Sequence, residues 1–308
     1  MDYIRILLII LVMLISNCVY ATPNTNPRKV VICTDIASDI DDSWALAFAM
    51  KCPELAIDSV VVSHGPTPGR AKVAAKLLSI RGLDDVPVMV GKAKRNESNG
   101  QRDWAKDFVP KRPLVADAAR GLARRLMRME CKVTLIPIGP LTDIGEMLRL
   151  EPGVKDKIDE IILMGGAVYN GYRTGSEVCA EYNILSNVKA AQRVFESGIP
   201  IVLVGLDVTR IMQPSAEDMQ RIAESDKPLP QAMHTLYKLW EHPTPTLFDV
   251  VAVALAFQRD LVEMDYLSIK VTSDGITRIV PDGKPNAWVC KKIDKQRTMK
   301  LFMDRVSN

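Results

Sequence analysis

Four carboxylates, Asp35, Asp39, Asp41 and Asp42, fall within eight positions of the chain. Like charges this close repel one another, and a fold retains such a cluster only where something neutralises it. A hard divalent cation is the natural candidate, since Ca²⁺ takes about six to eight oxygen ligands, mostly carboxylates and carbonyls. Acids before a helix can also simply match the helix dipole. That explanation serves for one acid or two, whereas four beside buried elements point to a site. An EF-hand is excluded. With Asp35, Asp39 and Asp41 at loop positions one, five and seven, position six is Ile40 rather than Gly and position twelve is Leu46 rather than Glu.

The flanking residues say how the acids are held. Val30-Val31-Ile32-Cys33 reads as a buried strand, and Trp44 to Met50 as an apolar helix. The acids therefore sit at the carboxyl end of a first strand, where ligands bind in α/β proteins. Further strands are expected at Ala56–Ser63, Val86–Val90, Val133–Ile138, Ile158–Met164 and Pro200–Val204, and their continuous apolar runs are those of a parallel sheet. Helices are expected at Ala71–Ile80, Val115–Met129, from Glu181 to about Glu196, and at Val250–Phe257 after Thr246-Leu247-Phe248-Asp249. From Tyr266 the pattern alternates like strands around a turn at Ser273-Asp274-Gly275, and a last helix starts near Asp294. Two long polar stretches, 92–113 and 167–180, are of the length that is usually functional. Strands alternating with helices predict an α/β fold: an open, mostly parallel sheet with helices on both faces, a Rossmann-like core.

The chain of 308 residues is 47% hydrophobic with a net charge of +3, a balance that argues against nucleic acid or a membrane surface as main partner. Residues 1–21 read as a signal peptide. Arg5 precedes the apolar run Ile6–Ile15, and Val19-Tyr20-Ala21 supplies small residues at the −3 and −1 positions of a cleavage site. The run is short for a transmembrane span, so the expectation is a secreted or periplasmic protein with no stable membrane insertion after cleavage, an uncleaved anchor being the alternative. Residues 22–308 then form one domain, since no composition break divides them. Five cysteines remain, an odd and scattered set that reads as core residues rather than a disulfide frame.

These residues resemble the inosine-uridine-preferring nucleoside hydrolase family across about 29–305. Cys33-Thr34-Asp35-Ile36-Ala37-Ser38-Asp39-Ile40-Asp41-Asp42 is similar to a longer variant of the family's Asp-Thr-Asp-Pro-Gly-x-Asp-Asp, with two extra residues before the final pair. Gly139-Pro140-Leu141-Thr142, Met164-Gly165-Gly166-Ala167, Ala180-Glu181-Tyr182-Asn183 and Asp249 heading Asp-Val-Val-Ala-Val-Ala match further family motifs in order. The resemblance implies a Ca²⁺-dependent enzyme that hydrolyses ribonucleosides to free base and ribose. It implies Asp35, Asp42, Asp249 and the backbone carbonyl of Thr142 as ligands of the ion. Asp41, Glu181 and Asn183 would hold sugar hydroxyls.

The chemistry agrees. Cleaving an N-glycosidic bond passes through an oxocarbenium-like sugar, which a carboxylate-rich site stabilises. Asp35 is the expected general base for the attacking water, and Asp249 belongs to the same catalytic set. The family pattern is broken at four places: Cys33 replaces an Asp, His64 stands where Asn is frequent, Gly175 replaces an Asn, and Phe248 replaces a His that protonates the leaving base in some members. His242 is therefore the candidate acid, with His64 as a second candidate near the substrate. Trp104, Tyr169, Tyr172 and Trp240 are candidates to stack on the base. A non-catalytic sugar- or nucleoside-binding protein on the same scaffold is the alternative. A metal-dependent phosphoesterase is disfavoured, because no phosphate-cradling glycine loop accompanies the acids. The partner is a small nucleoside, and a homo-oligomer is compatible with the chain.

Overall fold

A computed structural model describes residues 26–93, 99–173 and 175–307. The expected signal peptide lies outside the described residues. Among them, no helix is long and apolar enough to cross a membrane.

The first strand, β1 (Arg28–Thr34), is buried from Val30 onward. Val30 and Ile32 face one half of the core, and Val31 and Cys33 face the other. That two-sided burial explains why the run is continuously apolar. The chain then alternates helix and strand through α1 (Asp41–Ala49), β2 (Leu55–Val62), α2 (Thr67–Ile80), β3 (Val88–Val90), α3 (Gly100–Asp103), β4 (Val115–Ala116), α4 (Ala118–Met127), β5 (Val133–Pro137), α5 (Thr142–Leu150) and β6 (Ile158–Met164). It continues through α6 (Tyr182–Leu185), α7 (Val188–Phe195), β7 (Ile201–Val204), α8 (Leu206–Thr209), α9 (Ala216–Ala223), α10 (Pro228–Trp240) and α11 (Phe248–Leu255). The last elements are β8 (Val262–Leu267), β9 (Ile269–Val271), β10 (Thr277–Ile279), β11 (Ala287–Ile293) and α12 (Lys295–Val306).

Nine strands form one sheet in the order β4-β3-β2-β1-β5-β6-β7-β11-β8. All neighbours are parallel except β8, which runs against β11 at the edge. A separate antiparallel pair, β9 and β10, closes around the expected turn at Ser273-Asp274-Gly275. The fold class is thus the one the sequence pattern predicts. On one face α1 packs through Trp44 and Phe48 against Phe302 of α12, with ring centroids 6.0 and 5.5 Å apart. The opposite face is covered by α4, α5 and α7.

Three elements differ from expectation. The expected helix Val115–Met129 starts instead at Ala118, because Val115 and Ala116 pair with β3 as an edge strand. Asp117 then caps the helix, its carboxylate accepting from the N–H of Arg120. The helix expected to run unbroken from Glu181 splits at Ser186–Asn187, where Asn187 caps α7 by accepting from the N–H of Ala190. A side-chain oxygen that accepts from the backbone competes with helix continuation. The stretch 92–113 contains the single turn α3, capped by Asn99. Cys33, Cys52, Cys131, Cys179 and Cys290 are all free thiols.

Candidate active site

The strand order reverses direction at β1, whose neighbours are β2 on one side and β5 on the other. The connections leaving β1 and β5 diverge there and open a crevice at the carboxyl ends. Gly139, just beyond β5, is required by the close approach: a Cβ there would lie 2.6 Å from the Asp35 nitrogen and 2.7 Å from its Oδ1. A cavity of about 290 Å³ occupies the crevice. Asp35, Ser38, Asp39, Asp41 and Asp42 line one side, Glu181 and Asn183 another, and Asp249 the floor near Phe248.

Asp41 and Asp42 stand in the first turn of α1, and Asp249 in the first turn of α11. Both helix N-termini present a positive dipole end to carboxylates. Oxygens of Asp41, Asp42 and Asp249 lie within 4.8 Å of one another, and all three residues are buried. Burial first, and the neighbouring acids second, push all three carboxyls well above the usual carboxylate range. Three buried carboxylates with all-oxygen donors fit a hard divalent cation, which would offset their repulsion. Thr34 donates its hydroxyl to Asp42 Oδ1, and the Asp35 N–H reaches the same oxygen at 3.2 Å.

Asp35 lies beside this trio rather than within it. Its Oδ2 accepts from the Ser38 hydroxyl at 3.0 Å and faces Arg70 Nη1 at 3.4 Å. Burial raises the Asp35 carboxyl, and the Arg70 guanidinium pulls it back down. The set expected to converge was Asp35, Asp42, Asp249 and the carbonyl of Thr142. The structure gathers Asp42 and Asp249 with Asp41.

Thr142 stands elsewhere. It opens α5, its hydroxyl accepts from Asn187 at 3.2 Å, and it lines a separate surface depression with Lys92 and Asp143. The residue from this strand that reaches the cavity is Ile138, four positions earlier.

Glu181 and Asn183 meet at the cavity through local chemistry. Glu181 is the N-cap of α6. Its Oε1 accepts from the Asn183 N–H at 2.9 Å, and its Oε2 accepts from Gly166 at 2.9 Å and Ile184 at 3.2 Å. Burial raises its carboxyl, offset in part by these three N–H donors. The Asn183 side-chain nitrogen donates to the carbonyls of Ile138 and Met164, each at 3.1 Å. That geometry turns the amide oxygen of Asn183 to the ligand side.

The histidines flank the cavity without lining it. His64 lies two residues past β2, with a left-handed φ of 62°, and meets Tyr182 edge-on at 6.0 Å. His242 is exposed on the loop after α10, its ring 4.6 Å from that of Trp240, and its charge is felt at Asp39 on the cavity rim. Of the four aromatic candidates, Tyr172 lines the cavity. Burial and Glu181 push its phenol up to about 12. Trp104 packs under Lys76, Tyr169 bonds Asp265, and Trp240 packs on Tyr237. Gly175 has φ 75° and open space around it.

Cys33 points into the opposite half of the core, so the thiol at this motif position does not touch the acids. The support for Asp42 comes from Thr34 instead, which strand alternation places on the face of Ile32 and α1. Thr34, Ser38, Arg70 and Ile138 were missed in the sequence. Only Thr34 carried a readable signal.

A family model described as inosine-uridine preferring nucleoside hydrolase matches residues 30–300. A pyrimidine-specific ribonucleoside hydrolase RihA from Shewanella oneidensis is 34% identical over 294 residues, covering 85% of this chain and 92% of the relative. The protein of the same name from Shewanella sp. MR-7 is 31% identical, covering 87% and 93%. Among solved structures, the plant nucleoside hydrolase PpNRh1 aligns with a TM-score of 0.79 at 23% identity, over 92% of this chain and 99% of its own. A purine-preferring ribonucleoside hydrolase from Gardnerella vaginalis aligns at 0.76 and 22%, over 91% and 98%.

Proposed function

The chain belongs to the inosine-uridine preferring nucleoside hydrolase family, and from that membership we propose that it hydrolyses the N-glycosidic bond of ribonucleosides with Ca²⁺ as its cation, releasing free base and ribose. The observation that carries the reading is the convergence of Asp41, Asp42 and Asp249 beside Asp35 in the crevice cavity. Asp42 and Asp249 would hold the ion, with Asp41 in the same cluster and Asp35 beside it. When bound, such an ion supplies a grip on vicinal hydroxyls and a lowered pKa for water.

The chain's own residues do the rest. Asp35 accepts the proton of the attacking water. The surrounding carboxylates stabilise the positive charge that develops on the sugar. Asp41, Glu181 and Asn183 orient the ribose. Ile138, Met164, Leu206 and Phe248 form an apolar lining that limits water around the reacting carbon. Export to the periplasm or medium belongs to the same reading and rests on residues 1–21.

Turnover of p-nitrophenyl riboside, set beside p-nitrophenyl phosphate, tests the reaction class. Hydrolysis of the riboside alone is the expected result. Binding without turnover of any riboside would leave a nucleoside-binding protein, and turnover of the phosphate would make it a phosphoesterase.

His242, on the exposed loop after α10, is the proposed acid for the departing base. His242→Ala should slow natural nucleosides by roughly 10²–10⁴-fold. It should spare p-nitrophenyl riboside, whose nitrophenolate leaves without a proton. An equal loss on both substrates would remove His242 from this role, and His64→Ala run in parallel examines the other histidine.

The sugar contacts are tested separately. Asn183→Ala should weaken ribosides by about 10²-fold in kcat/KM, the scale of about 3 kcal/mol for hydrogen bonds made in a buried site. The loss should be much smaller for 2′,3′-dideoxy analogues. Equal losses on both would assign Asn183 to holding Ile138 and Met164 and nothing more.

A further inference from the structure

The acid loop between β1 and α1 is held in place from outside. Four consecutive carbonyls, those of residues 35–38, each accept from a side chain. The Ser38 hydroxyl donates to Asp35 O at 3.0 Å, and Arg70 Nη1 donates to Ile36 O at 3.1 Å. Ala37 O accepts from Asn99 Nδ2 at 2.9 Å and from Arg102 Nη1 at 3.4 Å. Ser38 O accepts from Gln101 Nε2 at 3.2 Å. This is the part of the loop where the chain carries its two extra residues. Within it Ala37 adopts a left-handed φ of 65°, a conformation disfavoured for a non-glycine residue that persists only where its surroundings enforce it.

Arg70 is the centre of this brace. It is 5% exposed on α2. One nitrogen, Nη1, faces both Asp35 Oδ2 at 3.4 Å and the carbonyl of the next residue at 3.1 Å. The guanidinium lies so close to the chain after β2 that a Cβ on Gly65 would sit 3.0 Å from Nη2. Its position is therefore set by backbone on two sides. The 99–102 turn is in turn fastened to α2. Arg102 runs against Gly69, and Lys76 covers the Trp104 ring at 3.9 Å while donating to its carbonyl at 2.5 Å.

We propose that Arg70, braced with Asn99 and Gln101, is a positioning residue that aims the Asp35 carboxylate into the cavity and holds the lengthened acid loop in its strained path. The proposal rests on Asp35 being the general base. It gives the polar stretch 92–113 a function: α3 supplies the outer half of the brace. Arg70 touches no substrate and acts only through Asp35 and the Ile36 carbonyl.

The test uses the full chain and p-nitrophenyl riboside. Turnover by the parent protein settles the hydrolase reading before any variant is compared; an inactive parent overturns both. Arg70→Ala should lose about 10²-fold in kcat, the scale expected for a reacting group displaced by about 1 Å, with KM changed only a few-fold. Guanidinium added to the medium should restore part of the lost kcat in Arg70→Ala and none in Asp35→Asn. Arg70→Lys should fall between parent and Ala, since an ammonium keeps the charge but cannot present a planar fork. Asn99→Ala should lower kcat about 10-fold through the loop alone. An unchanged kcat in folded Arg70→Ala, a loss confined to KM, or the lack of guanidinium rescue overturns the proposal. If Arg70→Ala does not fold, parent-like kcat in both Arg70→Lys and Asn99→Ala overturns it equally.

Discussion

Asp35→Asn is expected to lower kcat on p-nitrophenyl riboside by about 10²–10⁴-fold, the contribution of a positioned general base. Asparagine is the informative substitution because it preserves the shape of the group. It can still accept from the Ser38 hydroxyl, which reaches Asp35 Oδ2 at 3.0 Å. What it loses is the ability to take a proton. It also leaves the Arg70 guanidinium facing a neutral amide in a buried setting. A drop in melting temperature should accompany the loss of activity but should not account for it at assay temperature. KM should change little, because the proposed sugar contacts are those of Asp41, Glu181 and Asn183. Activity within a few-fold of the parent would remove Asp35 from the role of base. Asp39, on the same cavity rim, would then be the carboxylate to examine.

Removing divalent cations should reverse the sense in which pH affects stability. Asp41, Asp42 and Asp249 carry raised carboxyls because burial and mutual repulsion disfavour their charged forms. In the unfolded chain the same groups ionise near about pH 4. Between that value and the raised native values, the native chain holds more protons than the unfolded one. Stability of the cation-free protein must then fall as pH rises above about 4. It is fully present below the unfolded value and is lost through the native titration. Calcium, the cation proposed for this site, would bind the ionised carboxylates and so compete with those protons. Its stabilisation should therefore be greatest at neutral pH and above. At a concentration about 100 times Kd it amounts to about 2.7 kcal/mol, a rise of roughly 5 °C or more in Tm for a domain of this size.

Asp42→Ala should abolish that rise and reduce kcat/KM by about 10³-fold, because an ion-binding carboxylate is lost from a site whose cation contributes several kcal/mol. The same variant without cation should be less sensitive to neutral pH than the parent, since one of three mutually repelling buried acids is gone. A Tm that ignores both calcium and pH in the parent would rule out the acid cluster as a cation site. A calcium response that survives intact in Asp42→Ala would exclude this residue as a ligand.

Much of this was legible along the chain because the signals are local. The continuous apolar run 30–33 announces a strand buried on both faces. The acids that follow it must lie at that strand's carboxyl end, and Glu181 and Asn183 occupy one capped turn, so proximity follows from spacing. The error at Ser186 was local too, where the Asn187 cap competed with a helix that propensity favoured, whereas the one at Val115 came from pairing with β3.

What spacing could not supply was the order of the strands. The reversal at β1, between β2 and β5, places the crevice where it is and brings Ile138 rather than Thr142 to its wall. Asp249 lies more than two hundred residues from Asp42, and their meeting depends on the packing of α11 against α1. Arg70 gave no sign of its place, since it precedes the helix expected at Ala71–Ile80; only the start of α2 at Thr67 and its fold against the acid loop bury it beside Asp35. The sequence by itself thus determined the residue types, their elements and the chemistry they can perform, because those depend on neighbours a few positions away. The tertiary structure alone decided that Asp41 joins Asp42 and Asp249 and that Arg70 faces Asp35, because burial and charge proximity are properties of contacts between segments that the chain keeps far apart.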